Sequence, residues 1–113
     1  MSDPTPLLFA ADRLADRFRS MPQGRLTQLA PEGLRLARLL ARQEEAVAAE
    51  GPARPEIPDA GIFAVGDQIA LAAHDLAEAL RGADREEAEA VLAEALAAVE
   101  QGYRLATTRS ARM

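Results

Sequence analysis

The segment DAGIFAVGDQIALAAHDLAEAL, residues 59–80, decides the fold class of this chain. At about 100° per residue, its large apolar side chains fall on one helical stripe. That stripe consists of Ile62, Val65, Ile69, Ala73, Leu76 and Leu80. Gly66, Ala70 and Ala77 lie on the flank beside it, where small side chains allow a neighbouring helix to come close. The segment therefore predicts an amphipathic helix that packs closely on one side.

The limits of this helix follow from residues at its two ends. Asp59 is a typical N-cap residue and Gly82 a typical stop, so the predicted helix covers 59–81. Asp84 follows within one short turn and has Glu87 three residues later, which is the pattern of a capping box. A further helix is therefore predicted over 85–107.

Two helices are predicted in the N-terminal half. Thr5 is a candidate N-cap with Pro6 at the first helical position, and the apolar spacing continues to about residue 20, which predicts a helix over 6–20. After a loop over 21–29, Pro31 can start a second helix over 31–50 that Gly51 ends.

The segment GPARPEIP, residues 51–58, separates the second and third helices and contains three prolines. Such a segment is extended and semi-rigid, at roughly 3 Å per residue. It is long enough to cross the end of a helical bundle or to run part-way along its side. The tail over 108–113 has no apolar face, and we expect it to fray.

These elements predict an all-α protein with a single helical domain over 1–113. The short turn between the third and fourth helices favours an antiparallel bundle of four helices built as two hairpins. In the alternative arrangement, the hairpins splay apart and a second chain completes the core. Alanine is abundant and buries little area, so we expect a homodimer to supply the missing apolar burial.

Composition excludes several mechanisms. The 113 residues include no cysteine, and all thirteen basic residues are arginine, so neither a thiolate nor a lysine Schiff base can form. No apolar run reaches the roughly 20 residues of a membrane span, and the first residues do not resemble a secretory signal. We therefore expect a cytoplasmic protein.

The net charge of −5 makes nucleic acid an unfavourable partner.

One group of polar residues on the third helix is a candidate binding site. Asp67, His74 and Glu78 project from the same side, and Leu71 lies among them. Imidazole and carboxylate groups could bind a metal or a small molecule. A zinc site needs three or four ligands, however, and the chain has a single histidine. The sequence thus predicts no catalytic residue, no metal site and no cofactor.

Two other surfaces are candidate interfaces. Phe9 and Leu71 are large apolar residues on otherwise polar helix faces, which suggests a self-association surface. Arg35, Arg38 and Arg42 form a ridge on the second helix that could bind an acidic partner or the backbone of a nucleic acid.

Three functional hypotheses follow. The first is a non-catalytic module that acts through protein–protein contact, as a homodimer or an adaptor. The second is a bundle that binds a small molecule or metal through His74 and the nearby carboxylates. The third is a nucleic-acid-associated regulator that uses the arginine ridge.

Overall fold

The computed structural model describes residues 3–48 and 55–108. In these two ranges it contains helices and no strand, which confirms the all-α class. The α-helices in the described ranges are α1 (Thr5–Arg19), α2 (Gln23–Ala48), α3 (Val65–Arg81) and α4 (Arg85–Thr107). A 3₁₀ turn, Ile62–Ala64, leads into α3. Residues 109–113, most of the predicted frayed tail, lie outside the described residues, as does the predicted end of the second helix at residue 50.

Helix α1 buries the face that its sequence predicts. Leu7, Ala11, Leu14 and Phe18 lie in the core. The start of the helix differs from the prediction, because Thr5 is its first residue and not its cap. The carboxylate of Asp3 accepts a hydrogen bond from the Thr5 backbone N–H at 3.0 Å, and this bond lowers the pKa of Asp3.

Helix α2 begins at Gln23, so the predicted start at Pro31 is wrong. Pro31 lies inside the helix, where its ring nitrogen cannot donate the usual hydrogen bond to the carbonyl oxygen of Thr27. The residues before it explain why the helix tolerates this loss. Leu26, Leu29 and Ala30 are buried at helical spacing, so apolar burial outweighs one missing hydrogen bond.

We expect Pro31→Ala to stabilise the protein, because alanine restores the donor at an exposed position of a continuous helix. The gain in the free energy of unfolding should be about 1–3 kcal/mol, measured by urea denaturation. If α2 instead began at residue 31, proline would occupy its preferred first position, and the substitution would be neutral or destabilising. The sign of the change therefore distinguishes the two helix limits.

Helix α3 starts later than the sequence predicts, and Asp59 is not its N-cap. The Asp59 carboxylate accepts a hydrogen bond from the Gly61 N–H at 3.0 Å and closes a local turn. Gly61 has φ of +96°, a conformation that favours glycine and interrupts the helix.

Helix α4 has the predicted limits, and the Asp84 carboxylate accepts a hydrogen bond from the Glu87 N–H at 3.3 Å.

The pairing of the helices differs from the two predicted hairpins. Helix α3 packs against α2 and α1, and α4 packs against α1 and α2, whereas α3 and α4 make few contacts with each other. The close contact between α3 and the backbone of α1 explains part of this pairing. A side chain at Gly66 would meet the backbone oxygen of Ala15 on α1, so the small flank of α3 faces α1 and not α4. Short turns here join helices that are not the closest neighbours.

Helices α2 and α3 run in the same direction. Gly33, near the middle of α2, lies beside Val65 at the start of α3, and Ala41 and Asp75, further along each helix, line one groove. Parallel neighbours need a connection that returns along the helices. The 13 residues between Ala48 and Ile62 can span about 40 Å when extended, whereas α2 rises about 23 Å from Gly33 to Ala48. The proline-rich segment is therefore long enough for this crossover.

Candidate functional site

The structure separates the polar residues that the sequence groups on α3. Asp67 binds Arg19 of α1: the Nε and one terminal nitrogen of the guanidinium donate to the same carboxylate oxygen, at 3.0 and 2.7 Å. The hydrogen bond with Asp67 is the largest cause of a raised pKa of Arg19. The guanidinium of Arg19 therefore stays positively charged, and its ion pair with Asp67 joins α3 to α1.

His74 and Glu78 are also held by different partners. The Nε2 of His74 lies 3.0 Å from a carboxylate oxygen of Asp12 on α1. Glu78 accepts a hydrogen bond from Arg81, one turn further along α3, at 2.8 Å. His74 and Glu78 are thus not directed at a common ligand. Among the described residues, no group of three or more histidine, aspartate or glutamate side chains is placed to bind a metal ion.

The three arginines on α2 do not form a uniform ridge. Arg35 pairs with Glu32 on its own helix. Arg38 donates through Nε to the carbonyl oxygen of Ile57 at 2.8 Å, and Arg42 lies 3.7 Å from Glu56. Two of the three arginines therefore contact the crossover between α2 and α3.

The crossover residues Glu56, Ile57 and Pro58 are fixed to both helices. In addition to the bond from Arg38, the side-chain amide of Gln68 on α3 donates to the carbonyl oxygen of Pro58 at 2.9 Å. Two main-chain carbonyls thus anchor this segment. Sequence reasoning missed the role of Gln68 and Ile57, and Ile57, the only large apolar residue among the prolines and charges of 51–58, is the signal that could have indicated it.

The anchored crossover forms one wall of a groove between α2 and α3, which we call the Leu71 groove. Its volume is about 510 Å³. It is lined by Arg38, Ala41, Arg42, Glu44, Glu45, Pro55, Glu56, Ile57, Pro58, Gln68, Leu71, Ala72 and Asp75. Leu71 is 65% exposed and lines this groove, so it presents a large apolar side chain to solvent there. The groove combines an apolar centre with charged residues of both signs.

Phe9 and Leu71 do not belong to one surface. Phe9 is 69% exposed and borders a different groove, between α1 and α4, together with Tyr103. The guanidinium of Arg13 covers the ring of Tyr103 at 4.0 Å from its centre. Because α1 and α4 form this second groove and α2 and α3 form the Leu71 groove, the two exposed residues mark separate faces.

The described helices give no candidate for a membrane crossing, because none combines the required length and apolarity. No protein-family model, curated protein or solved structure matches this chain.

Proposed function

We propose that this protein is a non-catalytic helical module that acts through protein–protein contact, as a homodimer, with the Leu71 groove at the interface. The observation that carries this proposal is the exposure of Leu71 beside an apolar groove whose charged residues are of both signs. Interface centres are apolar and their rims polar, and this face has both features.

A second copy of the chain suits this face better than a partner with one sign of charge. A two-fold interface uses the same surface twice, so each surface must be complementary to itself. The Leu71 groove meets this condition because Arg42 lies on its α2 wall and Asp75 on its α3 wall. A partner with a purely acidic or purely basic surface would meet like charges in this groove, because Arg38 and Arg42 line it together with Glu44, Glu45 and Asp75.

The composition of the core also favours association. Within residues 3–48 and 55–108, ten of the 23 buried apolar residues are alanine, and each buries little area. At about 25 cal/mol per Å², a core of this kind gives limited stability. Contact between two Leu71 grooves would bury Leu71 and add apolar area that the isolated chain lacks, and binding of folded chains stabilises the folded state.

The two alternative functions receive less support from the geometry. Binding of a metal or small molecule through His74 would require breaking its contact with Asp12 and recruiting side chains that point elsewhere. Binding of nucleic acid by the ridge would require Arg38 and Arg42 to leave the crossover.

The dimer is tested by Leu71→Glu, with Phe9→Glu as its matched control. Both substitutions place a carboxylate at an exposed site of a helix, so neither should unfold the chain. We expect the Leu71 variant to raise the dimer dissociation constant by roughly 30-fold or more, because a charge would be buried at the interface centre. Sedimentation equilibrium on the wild type and both variants measures this change.

We expect the wild-type protein and the Phe9 variant to remain dimers at micromolar concentrations. A wild-type protein that is strictly monomeric up to high micromolar concentration would contradict the proposal. Equal weakening by both substitutions would show that the Leu71 groove is not the specific interface.

A further inference from the structure

We infer that the two copies meet about a two-fold axis that runs along the Leu71 groove, so that Arg42 of each copy pairs with Asp75 of the other. This inference rests on the proposed homodimer and specifies its geometry. It follows from the register of α2 and α3, from the bonding of the two side chains, and from the distribution of charge between the walls.

The register of the parallel helices sets Arg42 and Asp75 at the same height. Gly33 lies beside Val65, and nine residues further along each helix are Arg42 and His74. Since every helical residue advances about 1.5 Å, Asp75 lies only one residue beyond the level of Arg42. The two charges therefore stand on opposite walls of the groove, near one cross-section.

Both side chains have capacity for a further partner. Asp75 makes no side-chain hydrogen bond or ion pair within residues 3–48 and 55–108, and it is exposed. The side chain of Arg42 is 59% exposed, and its ion pair with Glu56 at 3.7 Å is longer than a hydrogen bond. By contrast, Arg38 already donates to a main-chain carbonyl. Arg42 is thus the arginine of this groove best able to bind a second carboxylate.

The direction of the axis follows from where the charges lie. An axis along the groove sets the α2 wall of one copy against the α3 wall of the other, at the same height. Arg42 then faces Asp75 of the second copy, and the pair forms twice. An axis across the groove would set α2 against α2 and α3 against α3, and the α3 lining residues Gln68, Leu71, Ala72 and Asp75 include no basic group that could pair with Asp75 there. In that arrangement, both Asp75 carboxylates would lie in the contact between the two α3 helices.

Charge reversal gives a test that depends on this pairing. Arg42→Glu alone and Asp75→Arg alone each place like charges opposite one another twice in the dimer. Each should raise the dissociation constant by about tenfold or more. An equimolar mixture of the two variants, however, restores both opposite-charge pairs, and we expect it to form a heterodimer with an affinity close to that of the wild type. Native mass spectrometry identifies the heterodimer by its mass.

Two further variants complete the design. The double variant R42E/D75R should form a homodimer again, because its reversed charges are complementary. Arg17→Glu is the control, since Arg17 is an exposed arginine on α1 whose side chain makes no ion pair in the described part of the chain. It should leave the dissociation constant unchanged. Circular dichroism verifies that every variant keeps its helical content.

The outcomes separate this inference from the proposed function. If the wild type is a dimer but the mixture and the double variant bind no better than the single variants, the Arg42–Asp75 pairing is wrong and the homodimer stands. If the wild type is a monomer, the homodimer itself is wrong. Formation of the heterodimer from two weakly associating variants supports both.

Discussion

Leu76→Ala should be among the most destabilising single substitutions in this protein. Leu76 is fully buried near the centre of α3, within the core that α1, α2 and α3 share. Truncation removes apolar burial and leaves a cavity, which costs about 2–5 kcal/mol in the free energy of unfolding. A small domain has only about 5–15 kcal/mol in total. Urea denaturation should therefore show a midpoint far below that of the wild type.

Leu71→Ala is the matched control, because it makes the same chemical change on the same helix at a residue that is 65% exposed. In dilute solution, where a dimer dissociates, it should change the free energy of unfolding by less than about 0.5 kcal/mol. Similar losses for both variants would mean that α3 does not present Leu76 to the core and Leu71 to solvent, and the fold described above would be incorrect.

This contrast between Leu76 and Leu71 was predictable from sequence because helical periodicity depends on local spacing alone. The same reasoning identified the buried face of α1 and the limits of α4, where Asp84 is an effective N-cap. The helical spacing of apolar residues in α2 also extends to the residues before Pro31, since Leu26 and Leu29 lie on the same buried face as the apolar residues after it. Because proline generally favours the first turn of a helix, the sequence predicts a helix start at Pro31. The burial of Leu26 and Leu29 stabilises the helix before Pro31 and outweighs that preference.

The pairing of helices was not predictable in the same way. A short turn between α3 and α4 fixes that their directions reverse, but it does not decide which helices share the closest contact. That choice depends on complementary surfaces distant in sequence, such as Gly66 with the backbone at Ala15. The parallel arrangement of α2 and α3 likewise depends on anchors at Ile57 and Gln68 that no local pattern specifies.

The candidate site was predicted only in part for a related reason. The exposure of Leu71 follows from its angle on α3, whereas the groove beside it exists only once the crossover lies against α2. The sequence pattern predicts a group that includes Asp67 and His74, because the two residues share one side of the helix. In three dimensions, Arg19 and Asp12 on α1 bind them separately, and the angular analysis of one helix cannot identify partners on another.

Gly66→Ala should have the second large effect, because α3 packs directly against the backbone of α1 at this glycine. An added Cβ would lie 2.9 Å from the backbone oxygen of Ala15, a distance that real Cβ atoms essentially never show. The neighbouring atom belongs to the backbone of a packed helix, so it cannot rotate away as a flexible side chain can. The helices must separate, and overpacking of this kind costs about 1–3 kcal/mol. Thermal or urea denaturation monitored by circular dichroism measures the loss.

Gly24→Ala is the matched control for this prediction, since Gly24 is also helical and an added Cβ there meets nothing within 4 Å. Alanine favours a helix over glycine by about 0.5–1 kcal/mol, so the Gly24 variant should be as stable as the wild type or more stable. Gly66→Ala gains the same helical preference, and its net loss therefore measures the α1–α3 contact directly. If both variants were equally stable, α1 and α3 would not approach as closely as the small flank of α3 allows, and the pairing of these two helices would have to be revised.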